Sequence, residues 1–151
     1  MKPLIAALAA CAFFGAAQAS DQHHAVVTPG SIKWGPAPAS LPPGAQAAVL
    51  LGNPAKEGPF VLRLKFPAGF VIPPHRHSKD ELVTVISGAM VITGGEKVDR
   101  KAQSLPPATF VNLPAGMAHY AWAKGESIVQ INGVGPFDVT YLNPADDPRK
   151  Q

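Results

Sequence analysis

The sequence has little cysteine, little charge and no long apolar run. Cys11 is the only cysteine among 151 residues, which excludes an intrachain disulfide. Charged residues make up 15% of the chain and the net charge is +3, too little to indicate a nucleic-acid or membrane-surface partner. The N-terminal apolar run is too short and too rich in alanine for a membrane span. The hydrophobic fraction of 46% excludes general disorder.

Residues 1–19 have the pattern of a secretory signal peptide. Lys2 is a short positive region, residues 4–17 are apolar, and small residues precede a cleavage position after Ala19. No twin arginine precedes the apolar run, so the sequence predicts Sec export to a periplasmic or extracellular location. The alternative is a bacterial lipobox that ends at Cys11, which would then become a lipidated N-terminus.

Cleavage after Ala19 would change both the charge and the chemistry of the chain. The mature protein would have 12 basic and 10 acidic residues, a net charge of +2. It would also have lost Cys11, and with it all thiol chemistry. This small net charge predicts no nucleic-acid partner.

Short apolar runs separated by Pro- and Gly-rich turns predict an all-β fold. Residues 20–47 are rich in proline and read as irregular, residues 48–142 as the β-domain, and residues 143–151 as a polar tail. A weaker strand is expected at residues 97–105, and a hairpin is expected about residues 124–126. The main extended segments are 49–51, 60–66, 70–77, 82–86, 90–93, 109–113, 119–123, 127–132 and 137–142.

Three histidines and a glutamate have the spacing of a metal site. His75 and His77 are one residue apart, so in an extended segment both imidazoles lie on the same face. Glu81 follows a turn and can return its carboxylate to the pair. His119 follows the turn at residues 114–116 and can add a fourth ligand. Such a set suits one divalent Fe, Mn, Ni, Cu or Zn ion and leaves coordination positions open.

These residues carry a resemblance to the cupin superfamily. The first cupin motif, G-x5-H-x-H-x3-E-x6-G, matches at every position from Gly69 to Gly88. The second motif matches in its centre, at residues 114–119, but Ala108 and Ala123 replace its first Gly and last Asn. The resemblance implies a single-domain jelly-roll β-barrel with a metal at its mouth, and a homodimer. More narrowly, the chain is similar to small exported cupins related to the cupin domain of ChrR anti-sigma factors.

Other side chains are candidates for the pocket, each with an alternative. Arg63 either lines the interior and grips a substrate carboxylate or enolate, or is solvated on the outer face. Gln130 and Asn132 have the same two alternatives. The alternation with His119 turns Tyr120 and Trp122 away from the metal, into packing or a dimer surface. His23 and His24 belong to a terminal segment and could bind metal adventitiously.

The site supports three functional hypotheses. The leading one is a metal-dependent oxidoreductase, similar to a dioxygenase, that acts on a small organic molecule, with Glu81 as a candidate base. The second is a binding module that senses or stores a metal or small ligand. The third is a storage or structural role in which the metal only stabilises the fold.

Overall fold

The computed structural model describes residues 24–151, so the predicted signal peptide, Cys11 and His23 lie outside the described residues. The described chain contains ten β-strands and three 3-10 helices. The strands are β1 (Gly35–Pro36), β2 (Gln46–Leu51), β3 (Gly58–Phe66), β4 (Val71–Arg76), β5 (Glu81–Ser87), β6 (Met90–Gly94), β7 (Phe110–Leu113), β8 (His119–Ala123), β9 (Ser127–Gly135) and β10 (Thr140–Tyr141). The helices are Pro29–Ser31, Pro144–Asp146 and Pro148–Lys150. Within this described range, no helix has the length and apolarity to cross a membrane.

The strands form two antiparallel sheets that enclose the core. One has six strands in the order β1-β2-β3-β9-β5-β7, and the other has four in the order β10-β4-β8-β6. This confirms the predicted all-β fold. The sheets form a sandwich and are not closed into a continuous barrel. Edge strands β6 and β7 are joined by residues 95–109, where Leu105 makes only an isolated bridge to Met90.

Strand β3 shows which side of the larger sheet faces the core. Its even-numbered side chains are at most 4% exposed, and these are Phe60, Leu62, Leu64 and Phe66. Burying one such side chain fully contributes roughly 1.5–3 kcal/mol. A one-residue slip would expose all four, so this pattern fixes the register of the strand. The odd-numbered side chains, which include Arg63, point to the outer face.

A register shift in the smaller sheet determines the face to which the His75 side chain points. Strand β4 pairs with β8 at Ile72↔Ala121 and next at His75↔His119, so β4 contains one more residue than β8 between these pairs. Pro73 and Pro74 lie in this bulge, and proline has no N–H to donate to a ladder. Without the extra residue, the His75 side chain would point to the opposite face.

The hairpin expected about residues 124–126 is wrong. Strand β8 pairs with β4 and β6, whereas β9 pairs with β3 and β5. The connection therefore crosses from one sheet to the other, close to the crossing between β5 and β6. A Cβ on Gly88 would lie 2.3 Å from the carbonyl oxygen of Glu126, so these two crossings pack backbone against backbone. Turn composition alone does not distinguish a crossing from a hairpin.

The weak strand expected at residues 97–105 is also wrong. This segment packs on the outer face of the smaller sheet, where the Asp99 N–H donates to Tyr120 Oη at 3.0 Å. The Arg100 guanidinium lies 5.1 Å from the ring centre of Trp122, within cation–π distance. Tyr120 is 2% exposed. Tyr120 and Trp122 thus pack against their own chain.

The segments on either side of residues 48–142 also contact the sandwich. Strand β1 pairs with β2, and Lys65 Nζ lies 4.5 Å from the ring centre of Trp34. At the other end, the Arg149 guanidinium donates to the Val139 carbonyl at 2.9 Å. Parts of the expected irregular segment and polar tail are thus ordered against the β-domain.

Ala108 generates a stability prediction. Its φ is 68°, the left-handed conformation that costs a residue with a Cβ roughly 1–2 kcal/mol, and it stands where the second cupin motif has glycine. We expect Ala108→Gly to raise the free energy of unfolding by about 1 kcal/mol in urea denaturation. Ala47→Gly, in strand β2, should lower it by roughly 0.5–1 kcal/mol. Equal destabilisation by both substitutions would contradict strain at Ala108.

Candidate metal centre

Three buried histidines meet at one end of the sandwich. His75 belongs to β4, His77 follows that strand directly, and His119 begins the neighbouring strand β8. They are between 2% and 5% exposed, and their ligand atoms all lie within 4.8 Å of one another. The structure therefore brings together the three imidazoles that the sequence selected.

Backbone carbonyls orient all three rings in the same way. His75 Nδ1 donates to the Pro73 carbonyl at 2.7 Å, and His119 Nδ1 donates to the Met117 carbonyl at 2.9 Å. His77 Nδ1 donates to the carbonyl of Asp138. A carbonyl only accepts, so each Nδ1 carries the proton. The Nε2 lone pairs are then free for a metal ion, as in protein metal sites where the second ring nitrogen is held by a carbonyl.

Glu81 joins the histidines from the larger sheet. It is the first residue of β5 and is 7% exposed. Its Oε2 lies 3.3 Å from His77 Nε2 and 3.3 Å from His119 Nε2. The turn before β5 thus returns the carboxylate to the histidines, as the spacing predicted.

The ionisable groups of this cluster shift one another's pKa values. Burial, together with the nearby His119 and His77, lowers the pKa of His75 to about 3. Burial alone would raise the pKa of Glu81, but the contacts with His119 and His77 outweigh it and lower that pKa to about 2. Glu81 is therefore ionised and His75 neutral near pH 7, the states that metal ligation requires.

The donor set fits a transition-metal ion. The Nε2 atoms of His77 and His119 are buried and have no hydrogen-bond partner of suitable geometry. A buried polar group left in this state costs about 1–3 kcal/mol. When both rings are neutral, their lone pairs converge on the carboxylate and repel it. Burial disfavours protonation of His77, but the contact with Glu81 outweighs it and raises the pKa of His77, so either a proton or a metal ion can lie between ring and carboxylate. The residues present therefore fit a divalent ion, and Fe, Mn, Ni, Cu and Zn all suit this ligand chemistry.

Two further residues support His77, and neither was predicted to do so from the sequence. The Phe137 ring stacks on His77 with centroids 4.5 Å apart and planes at 20°. Asp138 supplies the carbonyl that orients His77, while its Oδ1 accepts from the Ser78 N–H at 3.0 Å. These contacts span about sixty residues of chain, so local spacing contains no signal for them.

An apolar cavity of about 90 Å³ opens onto the metal centre between the sheets. The loops contribute Pro38, Ser40, Leu41, Pro54, Phe137 and Val139 to its wall. The sheets contribute Leu62, Leu64, Phe66, Ile72, Val83, Met90, Ile92, Leu113, Ala121, Val129 and Ile131. The histidines and Glu81 lie at its polar end. The site can thus hold a metal ion next to a space that favours apolar groups.

The structure places Arg63 away from the cavity, on the second of the two faces that the sequence left open. Its neighbours in β3 that face inward are Leu62 and Leu64, so Arg63 lies on the outer face of the larger sheet. Its Nε donates to Gln130 Oε1 at 3.1 Å, and Gln130 in turn donates to Asn132 at 3.2 Å. All three form an outer polar row, so neither Gln130 nor Asn132 lines the pocket.

The terminal histidines are separate from this cluster. His24 is exposed, and His23 lies outside the described residues. Within residues 24–151, the only group of three or more candidate ligands close enough to hold one ion is the cluster of His75, His77 and His119.

Comparison with solved structures shows the cupin fold. A candidate acetylacetone dioxygenase from Methylibium petroleiphilum PM1 is 20% identical, with a TM-score of 0.64 over 86% of this chain and 88% of that one. An acetylacetone dioxygenase from Acinetobacter johnsonii is 16% identical, with a TM-score of 0.63 over 87% and 85%. A chain of the Rhodobacter sphaeroides complex of SigE with the anti-sigma ChrR is 18% identical, with a TM-score of 0.52 over 70% and 51%. At these identities the likeness establishes the fold alone.

The ligand set generates a direct prediction for metal binding. We expect His119→Ala to weaken the binding of Zn²⁺ by more than about 100-fold, because it removes one of the three converging imidazoles. Metal content after dialysis against chelator-buffered Zn²⁺ measures the change. His24→Ala is the matched control and should bind like the unmodified protein. Unchanged affinity in His119→Ala would contradict this ligand set.

The family assignment rests on the sequence as a whole. No curated protein matches it. It matches the family described as a domain of unknown function, DUF4437, over residues 15–149, which is nearly the whole chain. The chain therefore belongs to the DUF4437 family and has the fold of the cupin superfamily.

Proposed function

We propose that this protein is a metal-dependent oxidoreductase, similar to a dioxygenase, that acts on a small organic molecule. One observation carries the proposal: three converging imidazoles and Glu81 form the polar end of a buried apolar cavity. A closed structural metal site fills its coordination positions with protein ligands, whereas a catalytic site leaves one open. Here the cavity provides the space for such a position.

The protein's own residues have separate roles in this proposal. His75, His77 and His119 hold the metal ion, which would supply Lewis acidity and redox capacity when bound. The ionised Glu81 carboxylate lies beside two of these ligands, where it either completes the ligand set or accepts a proton from the substrate. The apolar walls exclude water from the reacting groups.

The acetylacetone dioxygenase and the candidate acetylacetone dioxygenase that share this fold support an oxygen-dependent reaction. Their likeness extends to most of both chains but only at 16–20% identity. A shared fold does not by itself transfer an activity. Support therefore also comes from the buried ligand set and the cavity of this chain.

Oxygen consumption tests the proposed reaction. Protein loaded in turn with Fe, Mn, Ni, Cu or Zn should consume oxygen with at least one member of a panel of β-diketones, phenols and thiols. We expect Glu81→Gln to lower kcat by roughly 100-fold or more, the usual contribution of a general base. Metal analysis of the variant separates a lost base from a lost ligand. Arg63→Gln, on the outer face, should leave kcat unchanged.

No turnover with any metal would count against the enzyme and favour a sensing or storage module. The likeness to a chain of the SigE–ChrR complex is the observation behind this second candidate. A small ligand that stays bound through purification, without reaction in oxygen, would identify such a module. If chelation lowers the melting temperature and no ligand binds, the metal has only a structural role.

Export and dimerisation extend the proposal to the protein in its cell. We propose that residues 1–19 direct the chain to the periplasm or outside, with lipidation at Cys11 as the alternative. We also propose a homodimer, supported by Leu82, Ile86 and Phe110, apolar side chains of the larger sheet that are 36–60% exposed. Mass spectrometry of the exported protein should give an N-terminus at Ser20, and light scattering should give twice the chain mass. A lipidated Cys11 or a monomer would contradict the respective statement.

A further inference from the structure

The part of the chain that the structure describes provides no side chain in the cavity wall that could pair with a second charged group on a substrate. The ionisable side chains that line it are those of the metal centre: His75, His77, His119 and Glu81. Among residues 24–151, Ser40 is the one other polar residue that lines the cavity, and neither a lysine nor an arginine lines it. A substrate charge anywhere except at the metal would therefore lie among apolar side chains.

Cations close to the site in sequence are directed elsewhere. Arg76, between two of the histidines, points outward and lies 3.4 Å from Glu96 Oε1. Lys79 Nζ donates to the Gly135 carbonyl. Arg63 lies on the outer face of the larger sheet with Gln130. None of these three side chains lines the cavity.

The charge balance at the metal also favours a substrate with a single anionic group. A divalent ion held by neutral imidazoles and the Glu81 carboxylate leaves one net positive charge in the buried site. One anionic oxygen donor from the substrate neutralises it. A second anion would leave an excess negative charge buried without a hydrogen-bond donor, which is strongly unfavourable.

We propose that the cavity selects substrates whose only charged group is the one that binds the metal, on an otherwise apolar body. This inference rests on the proposed function, because it names the substrate class of the same site. It excludes dicarboxylates, amino acids, sugar acids and phosphate esters as substrates. It admits enols, phenols, thiols and simple 2-oxo acids with apolar side chains.

A matched pair of ligands tests this selection. The ligands 5-methyl-2-oxohexanoate and 2-oxoglutarate present the same 2-oxo carboxylate to a metal, and they differ in whether the far end is isopropyl or carboxylate. Calorimetry with the Zn²⁺-loaded full-length protein measures both. We expect 2-oxoglutarate to bind at least 100-fold more weakly. Equal or tighter binding of 2-oxoglutarate, or failure of both ligands to bind, would overturn the proposal.

Adding a cation to the cavity wall provides the converse test. Leu41 lines the cavity from the loop between β1 and β2 and is only half-buried, so an arginine there can reach both the cavity and the solvent. We expect Leu41→Arg to reduce the preference for 5-methyl-2-oxohexanoate over 2-oxoglutarate at least 10-fold, because the new guanidinium pairs with the distal carboxylate of 2-oxoglutarate. Leu41→Met is the uncharged control and should keep the preference. Arg63→Gln should keep it as well.

Zinc separates this inference from the proposed reaction. Zn²⁺ has no redox chemistry, so the binding ratio is measured whether or not the protein consumes oxygen. If the isopropyl ligand binds selectively but no metal supports turnover, the proposed ligand class is supported and the proposed oxidoreductase activity is contradicted. Turnover together with equal binding of the two ligands would support the oxidoreductase and contradict the proposed substrate class. If Leu41→Arg does not fold, the ligand pair on the unmodified protein still decides.

Discussion

The convergence of buried imidazole nitrogens on a buried carboxylate is the constraint on which the rest of this structure depends. Each Nδ1 is held by a backbone carbonyl, so each Nε2 turns a lone pair toward the centre. Glu81 adds a negative charge 3.3 Å from two of these nitrogens. Without a cation, such an arrangement leaves buried acceptors unsatisfied. A divalent ion at the centre would accept the nitrogen lone pairs and balance the negative charge of Glu81.

The fold positions these groups with few local devices. The Pro73–Pro74 bulge turns His75 inward opposite His119, and the turn before β5 returns Glu81 from the other sheet. Phe137 stacks on His77 and lines the cavity. Because the two sheets fill the remaining space with aliphatic and aromatic side chains, the centre lies in a region of low polarity. Low polarity strengthens the attraction between the metal ion and its ligands.

The sequence was informative where the relevant contacts are local. The H-x-H spacing, the turn before Glu81 and the alternation in β3 each depend on neighbours within a few residues, and the structure agrees with them. Alternation in β3 could not decide which face was inside, and the sheet packing places Arg63 on the outer face. The crossing between β8 and β9 and the support of His77 by residues 137 and 138 involve distant segments. Contacts between distant segments cannot be predicted from composition and local spacing.

The most direct test of this account is X-ray absorption of the protein purified from its native compartment, combined with metal analysis. The account predicts about one transition-metal ion per chain, with a first coordination shell of three imidazole nitrogens and oxygen donors. Protein from that compartment that contains no stoichiometric transition metal, or an ion with fewer than three imidazole ligands, would contradict it.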